Sequence, residues 1–244
     1  MSLKIGIGLS CYQDFDSLRR MLMSCQSYPI DKIIAIDGKY DGYPTKQEYS
    51  DKDVLDLLGS FQTKVELYPY SGNQNAKRQI YFDNAKNLDV IIVMDSDEYF
   101  LPAKTNWDMF VNDLEQKIAD NAHTFRQAYC LPVYLLDKGI QKMPEGYYEN
   151  LPRIFHRPTE LRYVDDHFSI RNKTTGVLMS FEGNSVVQHI AMGHDHNLRS
   201  KQYNANTKKY EDELIEYENS VRHKRREDFS NNMYKQNHSS NKSS

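Results

Sequence analysis

Four short apolar runs, separated by stretches with helical spacing, constrain this chain more than anything else in its 244 residues. Lys4-Ile-Gly-Ile-Gly-Leu-Ser10 alternates Ile and Gly up to a polar residue, which suggests a strand whose end approaches a ligand or another backbone. Lys32-Ile-Ile-Ala-Ile-Asp37 and Asp89-Val-Ile-Ile-Val-Met-Asp95 are continuous apolar runs that stop at an acid. Lys64-Val-Glu-Leu-Tyr68 is a weaker run between them. A continuous run without alternation suits a strand buried on both faces. Between the runs, Leu18, Met21, Leu22 and Cys25 recur at helical spacing, with Asp14 or Asp16 as candidate N-cap. Residues 51–60 and 72–83 carry further helix signals, and 38–50 reads as a loop. Alternating strand and helix signals predict an α/β chain with a parallel sheet. Right-handed crossovers place the C-terminal strand ends on one edge, where open α/β sheets bind ligands. Ser10, Asp37 and Asp95 stand at such ends.

The second half is less regular. Residues 105–121 predict a helix with Trp107, Phe110, Val111, Leu114 and Ile118 on one face. Residues 125–136, 151–156, 161–164 and 177–190 contain strand-like pieces. Residues 201–229 read as a polar helical extension. Residues 230–244, rich in Ser, Asn, Lys and Gln with no apolar period, read as a disordered tail.

Composition removes several function classes. The net charge is −3, which gives no basis for nucleic-acid binding. The three cysteines, Cys11, Cys25 and Cys130, form no Cys-x-x-Cys pair, so no zinc ribbon or disulfide framework is expected. The longest apolar run, 90–94, is far below the roughly 20 residues of a membrane span. The chain reads as soluble and cytoplasmic. Its basic cluster Arg222-His-Lys-Arg-Arg226 leaves open peripheral contact with an anionic membrane, although a solvated helix end explains it as well.

Asp95-Ser96-Asp97 follows the strongest strand. Two carboxylates two residues apart, where a strand stops and the chain bends, can turn toward one ligand. Hard divalent cations take oxygen ligands, and Mg²⁺ uses one or two carboxylates plus substrate phosphates. Departure of a nucleoside diphosphate calls for such a cation, which neutralises charge developing on the leaving phosphate.

The ordered pieces resemble GT-A glycosyltransferases, and among them family two. Gly8-Leu-Ser-Cys-Tyr-Gln-Asp14 resembles the end of the family's first strand, and Ile34-Ala-Ile-Asp-Gly38 its second-strand acid. Gly72-x-x-x-Ala-Lys-Arg78 resembles its Gly-x-x-x-Ala-Arg-Asn stretch, and Val93-Met-Asp-Ser-Asp-Glu98 its Asp-x-Asp. Leu151-Pro-Arg-Ile-Phe-His156, with Arg162, Tyr163 and His167, resembles a later Pro-Arg-x-Phe-Arg segment. The resemblance implies a GT-A domain over residues 1–200, with a Rossmann-like mixed α/β sheet flanked by helices and the helical extension at its C-terminal end. It implies metal-dependent, inverting transfer of a sugar from a nucleotide-sugar donor, first of all a UDP-sugar. The acceptor, whether carbohydrate, lipid-linked or protein, does not follow from it.

Carried over residue by residue, Ser10 and Tyr12 line the nucleoside pocket, Asp37 bonds the base, and Arg78 lies near base or phosphates. Asp95 and Ser96 belong to the nucleotide site, and Asp97 holds Mn²⁺ or Mg²⁺. The family's late metal-binding histidine has candidates in His194, then His189, with His196 in the same stretch; His194 follows Gly193, where a sharp turn is expected to aim it into the cleft. Neutral imidazole suits Mn²⁺. Asp166 is the expected catalytic base, although Phe168 stands where the family has Glu after His167. Arg153, His167 and His189 are candidates for contacts to acceptor or phosphate. Two alternatives remain: a nucleotidyltransferase on a similar sheet, and an inactive carbohydrate-binding relative.

Overall fold

The computed structural model describes residues 3–195, except 42, 44, 62–63, 123, 125, 138–139, 142–147, 165 and 180–185. The helical extension, the tail, the basic cluster at 222–226 and His196 lie outside the described residues.

The first half alternates as expected. Strand β1 is Ile5–Cys11, helix α1 Phe15–Cys25, β2 Lys32–Asp37, α2 Lys52–Gly59, β3 Val65–Pro69, α3 Gln74–Asp83 and β4 Val90–Asp95. After it come β5 Glu98–Phe100, α4 Trp107–Asp120, β6 Ala128–Asp137, β7 Ile140–Gln141 and β8 Glu149–His156. Strands β9 Leu161–Val164, β10 Asp166–Asn172 and β11 Met192–Asp195 complete the set.

One sheet runs β3-β2-β1-β4-β8-β6-β11-β5, with β7 paired to β6. Pairing is parallel from β3 through β4, antiparallel where β8 meets β4 and β6, parallel for β6 with β11, and antiparallel for β11 with β5. Strands β9 and β10 form a separate antiparallel pair. This is the mixed sheet flanked by helices that the resemblance implies.

Each face of the sheet carries its own core. On one, Ile7, Leu9, Val90, Ile92 and Met94 pack with Leu18, Met21 and Leu22 of α1 and with Phe110 and Leu114 of α4. On the other, Ile34, Ile36, Ile91 and Val93 pack with Tyr81 and Phe82 of α3 and with Leu161 and Ile170 of the β9–β10 pair. The unbroken apolar runs are therefore explained by burial on both sides. Gly8 is required by close approach: a Cβ there would lie 2.8 Å from the Tyr81 ring.

Three local expectations change. Asp14 is the N-cap residue of α1 but makes no side-chain cap; its Oδ2 instead accepts the Ser96 hydroxyl at 2.5 Å. Among the described residues, 177–190 form no strand, only isolated bridges such as Cys130 with Val186. The strand of this region is β11, and His194 lies inside it rather than on a turn after Gly193. Gly193 serves packing, because a Cβ there would meet Leu136 at 2.5 Å and the Tyr99 ring at 3.0 Å.

Candidate active site at the C-terminal strand edge

Strand β1 lies between β2 and β4, so the chain leaves it on opposite sides. Such a reversal opens a crevice beyond the carboxyl ends of the strands. Ser10 of β1 stands beside Asp95 of β4 there, and Cys11 beside Asp37 of β2.

The turn after β4 supplies the acids. Asp97 is 3% exposed, and its Oδ2 lies 3.0 Å from His194 Nε2. The two meet because β5 pairs with β11, setting His194 opposite Glu98, the residue after Asp97. Burial opposes a charge on His194, but its hydrogen bond to Asp97, with Glu98 and Asp95 nearby, leaves its pKa raised.

Asp95 is held differently. Its Oδ1 accepts Arg78 Nη2 at 2.7 Å, and its Oδ2 lies 3.6 Å from Arg153 Nη2. Arg153 also donates to the fully buried Glu98 at 2.6 Å, and Glu98 Oε2 accepts the Asp95 N–H at 2.9 Å. Burial opposes the charge of Arg78, but Asp95 keeps the guanidinium firmly charged. Burial likewise pushes Glu98 up while Arg153 pulls it back. The two arginines and two acids nearly balance in charge, which is what makes their burial tolerable. Arg78 and Arg153 also line a cleft with Val93, Phe155, Tyr163 and Ile170.

On the β1–β2 side, the residues expected at the base are engaged with the chain itself. Tyr12 is 5% exposed; its hydroxyl donates to Gln47 O at 2.9 Å, and its ring meets Tyr43 edge-on at 4.9 Å. Asp37 accepts the Ser50 N–H at 3.0 Å and the Ser50 hydroxyl at 2.5 Å.

Of the remaining candidates, His189 lies apart from the Asp97–His194 pair. His189 is exposed on a turn with φ 63°, and its carbonyl accepts the Asn106 N–H beside α4. Asp166 and His167 lie on β10, with their side chains outside the described residues.

Several residues of this edge have no site role that their sequence spacing indicates. Lys77 is 2% exposed, and its ammonium donates to Cys11 O at 2.9 Å and to Gly38 O, tying the ends of β1 and β2 together. Burial lowers its pKa. Glu98, Ser50 and Asp14 are equally ordinary in sequence. A hydrogen bond spanning 82 residues, as between Ser96 and Asp14, leaves no local pattern.

Whether these residues suit a divalent cation can be judged from the donor set. Among the described residues, no cluster of three or more His, Cys, Asp and Glu side chains is arranged to hold a metal. Asp97 and His194 offer one oxygen and one nitrogen 3.0 Å apart. Adjacent octahedral ligands at about 2.1 Å from Mg²⁺ are about 3 Å apart, and such ions complete their shell with water and phosphate oxygens. The pair fits a cation of this kind with two protein ligands. Asp95 suits such an ion less well, because Arg78 and Arg153 flank it.

No family model matches the chain, and no curated protein matches it. Among solved structures it is similar to S. aureus TarS, at 12% identity and a TM-score of 0.43, over 64% of this chain and 28% of that one. A structure of S. aureus TarS 1–349 in complex with UDP-GlcNAc matches at 11% identity and a TM-score of 0.43, over 64% of this chain and 46% of that one. GalNAc-T7 with UDP, GalNAc and Mn²⁺ matches at 13% identity and a TM-score of 0.47, over 80% of this chain and 44% of that one. The chain thus spans less than half the length of each of these proteins. Likenesses this distant carry no residue correspondences.

Proposed function

We propose that this chain is a metal-dependent glycosyltransferase that moves a sugar from a nucleoside-diphosphate sugar to an acceptor hydroxyl, with inversion. The observation that carries the reading is the Asp97–His194 pair, 3.0 Å apart at the strand-end crevice. Beside it, Asp95 is fixed by two arginines. The residues that would hold Mn²⁺ or Mg²⁺ are Asp97 and His194. Such an ion supplies neutralisation of the charge that builds on the leaving diphosphate.

In the transfer, the bond from the anomeric carbon to the phosphate oxygen breaks, and its electrons leave with the diphosphate. The acceptor oxygen bonds to that carbon from the opposite face, and its proton passes to a carboxylate. Asp166 is the proposed base. Ser10 and Ser96, at the ends of β1 and β4, are proposed to face the nucleotide. Tyr12 and Asp37 would shape the base pocket through the segment from Gln47 to Ser50 that they hold. Arg78 and Arg153 orient Asp95; Arg153, His167 and His189 remain candidates for acceptor or phosphate contacts.

Against a nucleotidyltransferase, the link from β1 to α1 is Tyr12-Gln-Asp14, with no glycine-rich phosphate loop. No helix among the described residues is long and apolar enough to cross a membrane. The proposed location is the cytoplasm, with peripheral membrane contact through residues 222–226.

The test is a calorimetric and thermal-shift panel of UDP, GDP, TDP and CMP sugars, with and without Mn²⁺. One nucleotide sugar should bind only with the metal, and its hydrolysis or transfer should stop with EDTA. Asp97→Ala should weaken metal binding by at least about 100-fold, beyond the loss typical of removing an outer-shell partner. If the wild-type chain binds no nucleotide sugar in the presence of Mn²⁺, the reading is wrong, and an inactive relative becomes the better description.

A further inference from the structure

The spacing of Asp97 and His194 depends on a short ladder. Strand β5 meets β11 through three residue pairs only: Met192 with Phe100, Gly193 with Tyr99, and His194 with Glu98. The Asp195 N–H extends it by donating to Asp97 O at 3.1 Å. Three pairs at a sheet edge are a weak constraint by themselves.

A side chain from outside the sheet grips both strands. Arg20 of α1 places its guanidinium carbon 3.8 Å from the centre of the Tyr99 ring on β5. The same guanidinium lies 3.1 Å through Nη1 from Asp195 Oδ2 on β11. Tyr99 is two residues beyond Asp97, and Asp195 is one beyond His194. Asp195 contacts Arg20 of α1, while its neighbour His194 contacts Asp97. Gly193 completes the arrangement, since its missing Cβ leaves room for the Tyr99 ring over β11. The Asp195 side chain is 2% exposed, and a carboxylate that deep needs charge partners to stay where it is.

Resting on the metal site proposed above, we propose that Arg20 is a positioning residue. It locks β5 against β11 through Tyr99 and Asp195 and thereby sets the separation of Asp97 and His194. A planar guanidinium can stack on an aromatic face and reach a carboxylate at once; an ammonium cannot do both equally well.

Mn²⁺ affinity should be measured by calorimetry, well below each protein's melting temperature, for wild type, Arg20→Ala, Arg20→Lys and Leu58→Ala. Leu58 is buried in α2 at 1% exposure, so its truncation destabilises the chain without touching the β5–β11 ladder. Arg20→Ala should weaken Mn²⁺ binding about 10–100-fold, the range seen when a group supporting a ligand is lost. Arg20→Lys should recover part of that loss, and Leu58→Ala should bind Mn²⁺ as wild type does. A metal-free readout separates this idea from the metal site itself: the imidazole N–H signal of the His194–Asp97 hydrogen bond in the proton NMR spectrum. It should be present in wild type and Leu58→Ala and lost or shifted in Arg20→Ala. If wild type binds no Mn²⁺, the metal reading fails while the NMR comparison still decides the role of Arg20. An unchanged His194 signal in Arg20→Ala overturns the proposal, as does equal loss of Mn²⁺ affinity in Leu58→Ala.

Discussion

Asp95 and Asp97 are two residues apart in sequence, but their surroundings give them different work. Asp95 is set between Arg78 and Arg153, and Asp97 is set against His194. Two like acids in one turn are thus divided by what three distant elements bring to them. The Arg78–Asp95 pair is deep, with side chains 6% and 21% exposed. Removing one partner of a buried pair leaves a charge uncompensated and costs about 3–5 kcal/mol. Arg78→Ala should fall near the low end, since Arg153 still lies 3.6 Å from Asp95. Urea denaturation measures it, and a loss below about 0.5 kcal/mol, typical of an innocuous surface change, would show that the pair contributes no more than a solvated one. The sequence showed both acids and both arginines as candidates. It did not show that Arg78 and Arg153 converge on Asp95, because β8 lies far along the chain from α3 and β4.

Among elements, β1 shows how a strand is shaped by what crosses it. Gly6 and Gly8 break its apolar run, which from sequence suggested close approach of a ligand or another backbone. What approaches Gly8 is the ring of Tyr81, fully buried in α3. A Cβ at position 8 would lie 2.8 Å and 2.9 Å from two ring atoms. Gly8→Ala should therefore cost about 1–3 kcal/mol by overpacking. The change belongs to the β1–α3 contact, so the chemical-denaturation midpoint should move while the m-value stays the same. A stability equal to wild type would mean that α3 sits more loosely on β1 than its geometry indicates. Helix α3 itself begins cleanly, because Asn73 Oδ1 accepts the N–H groups of Asn75 and Ala76. Helix α1 begins with its capping carboxylate spent on Ser96 instead, a local rule broken next to the candidate site.

At the scale of the whole molecule, burial alters the ionisation of several tyrosines among the described residues. The chain has 18 tyrosines, and burial raises several of them. Tyr129 is pushed up to about 12, Tyr81 is raised well above its usual value, and Tyr163, bonded to Tyr81 at 2.8 Å, is raised too. In the unfolded chain a tyrosine ionises near pH 10. Between that pH and the folded value, the folded state keeps protons that the unfolded state loses. Their contribution to stability is therefore full below about pH 10 and falls as pH rises toward 12. Melting temperature should drop steeply from about pH 10 upward, and absorbance of ionised tyrosine should show a fraction that appears only on unfolding. A melting temperature flat to pH 11, with every tyrosine titrating near pH 10, would contradict this burial. By itself the sequence determined the strand–helix alternation, the burial of β2 and β4 on both faces, and the presence of acids at the ends of those two strands. These follow from the period and length of apolar runs, which are local properties. Only the tertiary structure decided that Asp97 meets His194 from within a strand, that Asp95 belongs to two arginines, and that Tyr12 and Asp37 hold the segment from Gln47 to Ser50. Those pairings depend on strand order and on contacts between residues far apart in the chain. Such contacts form only when the whole sheet closes, and no local spacing records them.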